Sequence, residues 1–324
     1  MKIPETPPDY SRLFTRLAPE RFKALIREGT LGTAGRNDEY RHWDRLRHLT
    51  PPGDLSLEEW WLSLKVARAT NARELPFSDA GGLRFRYCLP DTALAMLHDI
   101  DGRASGEIAI SEQVTNPLTS KQYIVNSLIE EAITSSQLEG ASSTRQVAKE
   151  MLQTGRPPRD RSERMIVNNF RGMGFVQEHR TDPLSLDFIL ELHRIVTEGT
   201  LDDPKAAGTL QQPGEDRVEV RDGKGTLLHR PPPSEQLPAR IAALCDFANA
   251  TGHTDGFLHP VVRAVVVHFW LAYDHPFLDG NGRTARALFY WSMLHQGYWL
   301  TEYLSISRLL RRAPARYARS FLYV

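Results

Sequence analysis

Cysteine is nearly absent: the chain of 324 residues has two, Cys88 and Cys245. Two thiols so far apart make neither a disulfide framework nor a cysteine zinc site, and they fit a reducing cytoplasm. Long apolar runs are missing as well. No stretch reaches the roughly 18 residues that would read as a membrane-spanning helix. The opening MKIPETPPDYSRL lacks the basic start and apolar run of a secretion signal. Net charge is absent too, since 40 Lys and Arg balance 40 Asp and Glu. Without a global positive field the chain is not built to coat DNA or RNA non-specifically, although a locally basic pocket is compatible with neutrality. No internal repeat or low-complexity tract stands out.

What is present is ordinary globular composition, 41% hydrophobic and 25% charged. At roughly 100–200 residues per domain, the length suggests two or three domains or one elaborated domain. Residues 1–115 read as helices and loops without a chemical motif. Helical spacing appears at 9–27 and 57–70, and the pair Trp60-Trp61 reads as core. Residues 116–184 are a helical segment with helices over 119–139, 143–155 and 160–178. Residues 185–324 carry helices over 185–199, about 234–250, 259–275 and 283–296, and a last helix pair within 303–323. The helix at 259–275 is apolar all round, the pattern of a central helix. Only 215–230 breaks the trend. There Val218-Glu219-Val220 alternates, Asp222-Gly223-Lys224-Gly225 turns and Thr226-Leu227-Leu228 extends, which predicts a β-hairpin. The chain ends at Leu322-Tyr323-Val324, still apolar, as does an end that docks or a chain that continues. The fold class expected is mainly α with a small β-hairpin flap.

The chemistry concentrates in His275-Pro-Phe-Leu-Asp279-Gly280-Asn281-Gly282-Arg283-Thr284-Ala285-Arg286. Gly280 and Gly282 flank Asn281 just before a helix, where positive φ is tolerated and successive N–H groups can turn inward on an anion. The helix that follows offers the positive end of its dipole. Arg283 and Arg286 lie near that helix start, three apart, where cations oppose the dipole and repel each other. An anion of several charges, such as a nucleotide polyphosphate, accounts for the placement. Asp279 suits a Mg²⁺ ion held by one carboxylate and phosphate oxygens. His275 has the unperturbed pKa of a general base at neutral pH. The set implies phosphoryl or nucleotidyl transfer. A zinc site from His268, His275 and Asp279 fits poorly, because the spacing is not the i, i+4 histidine pair.

This stretch resembles the signature of the Fic family, H-x-F-x-[D/E]-G-N-G-R-x-x-R, at every fixed position, and the resemblance extends over about 120–312. It implies a Fic-type helical bundle and transfer of AMP from ATP to a Ser, Thr or Tyr hydroxyl of a target protein. His275 would be the base and Asp279 the Mg²⁺ ligand. Gly280, Asn281, Gly282, Arg283, Thr284, Ala285 and Arg286 would hold the phosphates. The hairpin, with Val218, Glu219 and Val220, would align an extended target segment by strand addition. One departure stands out: members often carry Arg in a G-x-x-R before the flap, where this chain has Gly208-Thr-Leu-Gln211. That leaves the anchoring of the flap open.

Ser135 and Glu139 lie i, i+4 on one face of the helix 119–139, in phase with Ile124, Leu128 and Ala132. A carboxylate in a last helical turn opposes the dipole and seeks a cation. The segment Ser135-Ser-Gln-Leu-Glu139-Gly140 resembles the family's inhibitory motif, [S/T]-x-x-x-E-[G/N]. It implies that Glu139 pairs with Arg286 and holds basal activity low. The same Glu can in some relatives orient a water that removes AMP. Alternatives are therefore AMP removal, transfer of another phosphate-linked group, or a non-enzymatic nucleotide-sensing regulator. No membrane or nucleic-acid partner is expected within these residues, and a homodimer is compatible with them. Tyr290 and Tyr317 read as packing or as the lining of a nucleoside pocket, and His259 and His268 as core histidines.

Overall fold

The computed structural model describes residues 3–27, 41–104, 117–250 and 256–324. It divides into two compact units: Met1–Ile100 with Arg319–Val324, and Asp101–Ala318. The described residues are mainly helical, with two small two-stranded sheets. None of the described helices is long and apolar enough to cross a membrane.

The first unit holds α1 (Tyr10–Arg16), α2 (Pro19–Arg27), α3 (Trp43–Leu46) and α4 (Leu57–Thr70). One helix is expected over 9–27, and two form. Pro19 disfavours helical backbone at the residue before it and suits a first helical turn, so the chain breaks at Leu17 and restarts. Ser56 and Glu59 close a capping box on α4, with bonds of 3.1 and 2.7 Å. Trp60 and Trp61 are buried with Trp43, Leu46 and Leu64. An antiparallel hairpin, β1 (Arg73–Ser78) and β2 (Arg84–Tyr87), replaces the loops expected there. Its signal lay in Leu75 and Phe77 alternating before Asp79-Ala-Gly-Gly, with Phe85 beyond. Phe85 stacks on Phe77 at 4.6 Å, and the Asp79 carboxylate caps the turn by accepting from Gly81 and Leu83 N–H. Helix α5 (Asp91–Ala104) follows.

The second unit contains α6 (Pro117–Leu138), α7 (Arg145–Thr154), α8 (Arg161–Glu178), α9 (Leu186–Thr197), α10 (Leu237–Asn249), α11 (Pro260–Asp274), α12 (Asn281–His295), α13 (Ile306–Arg312) and α14 (Pro314–Phe321), whose last residues belong to the first unit. Side-chain caps start several of them: Asp160 for α8 and Ser185 for α9. Helix α8 packs against α6, α9 and α12, while α11 lies along α12 and α10. Ile129, Ala132 and Ile133 of α6 meet Met165 and Ile166 of α8 in one apolar cluster. At about 25 cal/mol per Å², each such fully buried aliphatic side chain contributes roughly 1.5–3 kcal/mol, so α6 is held firmly along the bundle. Trp270 and Leu271 of α11 and Ala285, Leu288 and Trp291 of α12 are buried, Trp270 against Phe247 of α10 and Trp291 edge-on to Phe188 of α9.

The flap hairpin is shorter than the alternation suggested. Strand β3 is Val220–Arg221 and β4 is Leu227–His229, antiparallel with Val220 opposite His229 and Arg221 opposite Leu227. Val218 and Glu219 precede the strand. Asp222 closes the turn by accepting from Lys224 and Thr226 N–H, both at 2.9 Å.

Candidate active site at the start of helix α12

The site is built where α11 ends and α12 begins. His275 caps α11 in the left-handed region, φ 45° and ψ 54°. It is the one non-glycine residue among those described with positive φ. Its imidazole is pushed down to about 4, chiefly by burial and then by the nearby charges of His229 and Arg217, so the ring is neutral at pH 7. Helix α12 starts at Asn281, two residues earlier than its periodicity suggests. Of the three nest residues only Gly280 takes positive φ, at 82°. Asn281 and Gly282 are instead the first helical turn, whose N–H groups have no intrahelical acceptors. A Cβ at Gly280 would stand 2.5 Å from Thr197 Cγ2, so packing against α9 requires glycine as much as the backbone angle does.

Asn281 braces the loop. Its Oδ1 accepts from Phe277 N–H at 3.0 Å and its Nδ2 donates to Phe277 O at 2.7 Å. These two bonds fix the amide orientation and aim Nδ2 at His275 Nδ1, 3.2 Å away. A neutral ring that accepts at Nδ1 carries its proton on Nε2. Asp279 is half-exposed, with Arg161 Nη2 at 3.5 Å and Arg283 Nη2 at 3.9 Å. Thr284 and Ala285 are fully buried, and Thr284 Oγ1 donates back to Gly280 O at 3.0 Å.

The two arginines differ. Arg283 is fully buried and gives one bond, Nη1 to Val196 O at 2.5 Å. Its Nε and Nη2 have no hydrogen-bond partner, and burial pushes its pKa down. Buried donors left open are costly unless something fills them. Arg286 is saturated. Nε donates to Ser135 Oγ at 2.8 Å, and Nη2 donates to Ser135 O at 3.0 Å and lies 2.7 Å from Glu139 Oε1. Burial works against its charge, but Glu139 and the Tyr317 hydroxyl outweigh it and raise its pKa.

Glu139 is where the end of α6 delivers it. Gly140, at φ 91°, ends the helix with Ala141 N–H on Ser136 O and Gly140 N–H on Gln137 O, a Schellman turn. The carboxylate lands on the first turn of α12. A Cβ at Gly282 would stand 2.1 Å from Glu139 Oε1. The seat at the helix start is thus filled by an anion from the chain itself, where the dipole favours one.

Three participants escaped the sequence reading. His193 on α9 is fully buried, stacks on Phe277 at 3.6 Å, accepts from Gly208 N–H at 2.9 Å and donates to Asp279 O at 2.8 Å. Arg217, before the flap, reaches the carbonyls at the end of α11. Arg161 pairs with Asp279. A histidine or arginine whose partners are carbonyls distant in sequence gives no local signal. Of the two tyrosines, Tyr290 is core: it accepts from Ile306 N–H at 2.6 Å and donates to Glu131 at 2.8 Å. Tyr317 lies between Arg286 and His268 Nε2, the latter 2.9 Å from its hydroxyl. His268 is pushed down to about 3 by burial. His259 caps α11 and contacts Asp101 at 3.0 Å.

Residues 183–293 match the Fic/DOC family. The chain is 35% identical over 122 residues to protein adenylyltransferase fic-1 of Caenorhabditis elegans, covering 38% of this chain and 21% of that protein. It is 33% identical over 119 residues to protein adenylyltransferase Fic of Nematostella vectensis, covering 37% of this chain and 25% of that protein. The chain therefore spans about a quarter or less of the length of these relatives. Its fold is similar to that of a Fic family protein from Desulfovibrio desulfuricans G20, with a TM-score of 0.54 at 22% identity over 70% of this chain and 64% of that one. It is also similar to a Fic domain containing signaling protein from Bacteroides thetaiotaomicron, with a TM-score of 0.51 at 23% identity over 63% of this chain and 73% of that one.

Proposed function

We propose that the protein is an adenylyltransferase that moves AMP from ATP to a hydroxyl of a target protein, a reading supported by the match of residues 183–293 to the Fic/DOC family. The observation that carries this reading is the anion seat. Arg286 pairs with the Glu139 carboxylate in the room that Gly282 leaves, and Arg283 keeps two buried donors open beside it. An anion larger than one carboxylate satisfies both.

In the reaction the target oxygen bonds to the α-phosphorus, its proton passes to Nδ1 of His275, the ring nitrogen without a hydrogen, as Asn281 Nδ2 releases it, and the bond from the α-phosphorus to the bridging oxygen breaks to release pyrophosphate. The open N–H groups of Asn281 and Gly282 stabilise the charge that builds on the phosphoryl oxygens. Arg283 and Arg286 take the outer phosphates. Thr284 and Ala285 pack the first turn so that these donors stay in place. The loop before the flap strand, with Val218 and Glu219, and the strand residue Val220 align the target segment. Among the described residues no group of three His, Cys, Asp or Glu could hold a metal alone. The half-exposed carboxylate of Asp279 fits a Mg²⁺ ion that takes its other ligands from phosphate and water. When bound, the ion supplies neutralisation of phosphate charge.

Glu139 is the brake on this reading. With its carboxylate on Gly282 and Arg286, the outer phosphates of ATP are refused their productive seat, and Ser135 holds Arg286 in the braked position. The test uses ATP labelled at the α-phosphate, with Mg²⁺, and follows label on protein. Glu139→Gly is expected to raise labelling by roughly 10–100-fold over the wild type. Adding His275→Ala should lower it again by about 10²–10⁴-fold. Equal labelling of the wild type and Glu139→Gly would remove the brake, and absence of label in both would remove the transferase.

One observation favours AMP removal as a second reading. Asn281 leaves the proton of the neutral His275 ring on Nε2, which suits a hydrogen bond to a leaving target oxygen that takes its proton in the end from the attacking water. Glu139 would take a proton from water as that water attacks the α-phosphorus. Wild-type protein added to pre-labelled Glu139→Gly protein would then release AMP; retention of the label argues for transfer alone.

A further inference from the structure

Arg217 stands at the foot of the flap and is not among the residues that the family signature names. Its guanidinium reaches four acceptors. Nε donates to Pro232 O at 2.7 Å, Nη1 to Gln211 Oε1, and Nη2 to Asp274 O at 2.5 Å and His275 O at 3.0 Å. These acceptors come from three places: the loop that leads into the flap, the chain that leaves it, and the last turn of α11. Gln211 is buried and fixed, its N–H on Pro276 O at 2.9 Å and its Nε2 on Asp216 O at 3.1 Å. Its Oε1 is thereby turned to Arg217. The carbonyls of Asp274 and His275 have no later turn of α11 to bond with. His275 is also in a backbone region that non-glycine residues hold only when their surroundings over-determine it. A planar fork with several donors answers these demands together, which a single ammonium cannot.

We propose that Arg217 is the positioning residue of this site, locking the foot of the flap to the end of α11 and holding His275 in its left-handed conformation over the cradle. The inference rests on the transferase reading above for its kinetic consequence, and on geometry alone for its structural one. Asp274 is itself clamped by Arg240, at 2.7 Å on its carboxylate. The turn is thus held on its carboxylate by Arg240 and on its carbonyls by Arg217. Gln211, at the position where relatives often carry Arg, acts here as the acceptor that orients an arginine supplied six residues later.

The test compares Arg217→Gln, Arg217→Lys and the exposed surface change Arg12→Gln in the first unit, each in the Glu139→Gly background. Arg217→Gln is expected to lower kcat for self-labelling by about 30-fold or more while the KM for ATP stays within about twofold, since the phosphate seat is untouched. Arg217→Lys should fall between, and Arg12→Gln should match its parent. A second readout needs no activity. The His275 ring, followed by NMR, should titrate closer to its ordinary value in Arg217→Gln, because the ring loses both its fixed position and a neighbouring positive charge. A folded Arg217→Gln protein with unchanged kcat and unchanged His275 titration would overturn the proposal. Should that variant fail to fold, Arg217→Lys and Gln211→Ala are judged by the same two measurements. If the Glu139→Gly parent itself carries no label, the transferase reading fails, and the His275 titration alone decides the role of Arg217.

Discussion

At the residue scale, His275 shows how burial shapes the chemistry of this site. A solvated imidazole is half-protonated near pH 6.5. Here burial, aided by Arg217 and His229, takes it down to about 4. A base is competent only when unprotonated, so with His275 in the proposed role of base kcat/KM for ATP in Glu139→Gly protein should be level from about pH 7.5 down to about 5.5 and fall only below about 5. Rates of labelling across pH 5–8 check this. A half-maximal point at 6.5 would mean that the ring is solvated in the working form. The motif residues were legible because their spacing is itself the signal: His275, Asp279 and Arg286 are named by one short stretch. Arg217 and His193 were not legible, because each is defined by carbonyl or amide partners that only the fold brings near, such as Pro232 for one and Gly208 for the other.

At the element scale, the brake proposed for Glu139 is a helix pairing rather than one ion pair. Glu131, Ser135 and Glu139 recur every four residues along α6 and its C-terminal turn, and Gly282, Arg286 and Tyr290 do so along α12. The stripes meet in opposite order: Glu131 on Tyr290, Ser135 on Arg286, Glu139 on Gly282 and Arg286. Glu131 is buried, and it also accepts from Ser305 Oγ at 3.0 Å, from Ser307 N–H at 2.9 Å and from Ser307 Oγ. A buried carboxylate with this many donors is sustained by them, and replacing it breaks a charge-assisted network. Glu131→Gln should therefore lower stability by about 2–4 kcal/mol. It should also raise basal self-labelling in protein that retains Glu139, because the stripe loses its first rung. Denaturant melts with labelling of the same samples check both, and a stable, silent variant would show that Glu139 acts alone. The phase of Ser135 and Glu139 was readable from the apolar residues beside them. Glu131 was not, since hydropathy assigns a glutamate to the surface. The β1–β2 hairpin was missed for a different reason: β2 has only four residues, and β1 carries Pro76 between Leu75 and Phe77, a residue that argues against a strand.

At the scale of the whole molecule, a net charge of zero conceals a set of histidines that the fold keeps neutral. His193 is the best defined. It is fully buried, bonded at both nitrogens and stacked on Phe277, and burial takes it down to about 4 from an ordinary 6.5. The sign follows from proton uptake. Between about pH 6.5 and 4 the unfolded chain binds a proton at this position and the folded one does not, so stability is lost as pH falls through that window. A difference of about 2.5 pKa units corresponds to on the order of 3 kcal/mol at full development. Carboxylates cannot produce this limb, because the best-paired of them, Glu163, is held down to about 2 by Arg156 and loses its contribution only at pH below its ordinary 4.5. Unfolding midpoints in urea should therefore drop steadily from pH 6.5 to 4.5. In His193→Gln, which removes the titrating ring, the drop should be shallower even though the variant starts less stable at pH 7. Parallel curves for the two proteins would mean that His193 takes up a proton in the folded state as readily as in the unfolded one, and its Nδ1 would then not accept from Gly208 N–H in the way described.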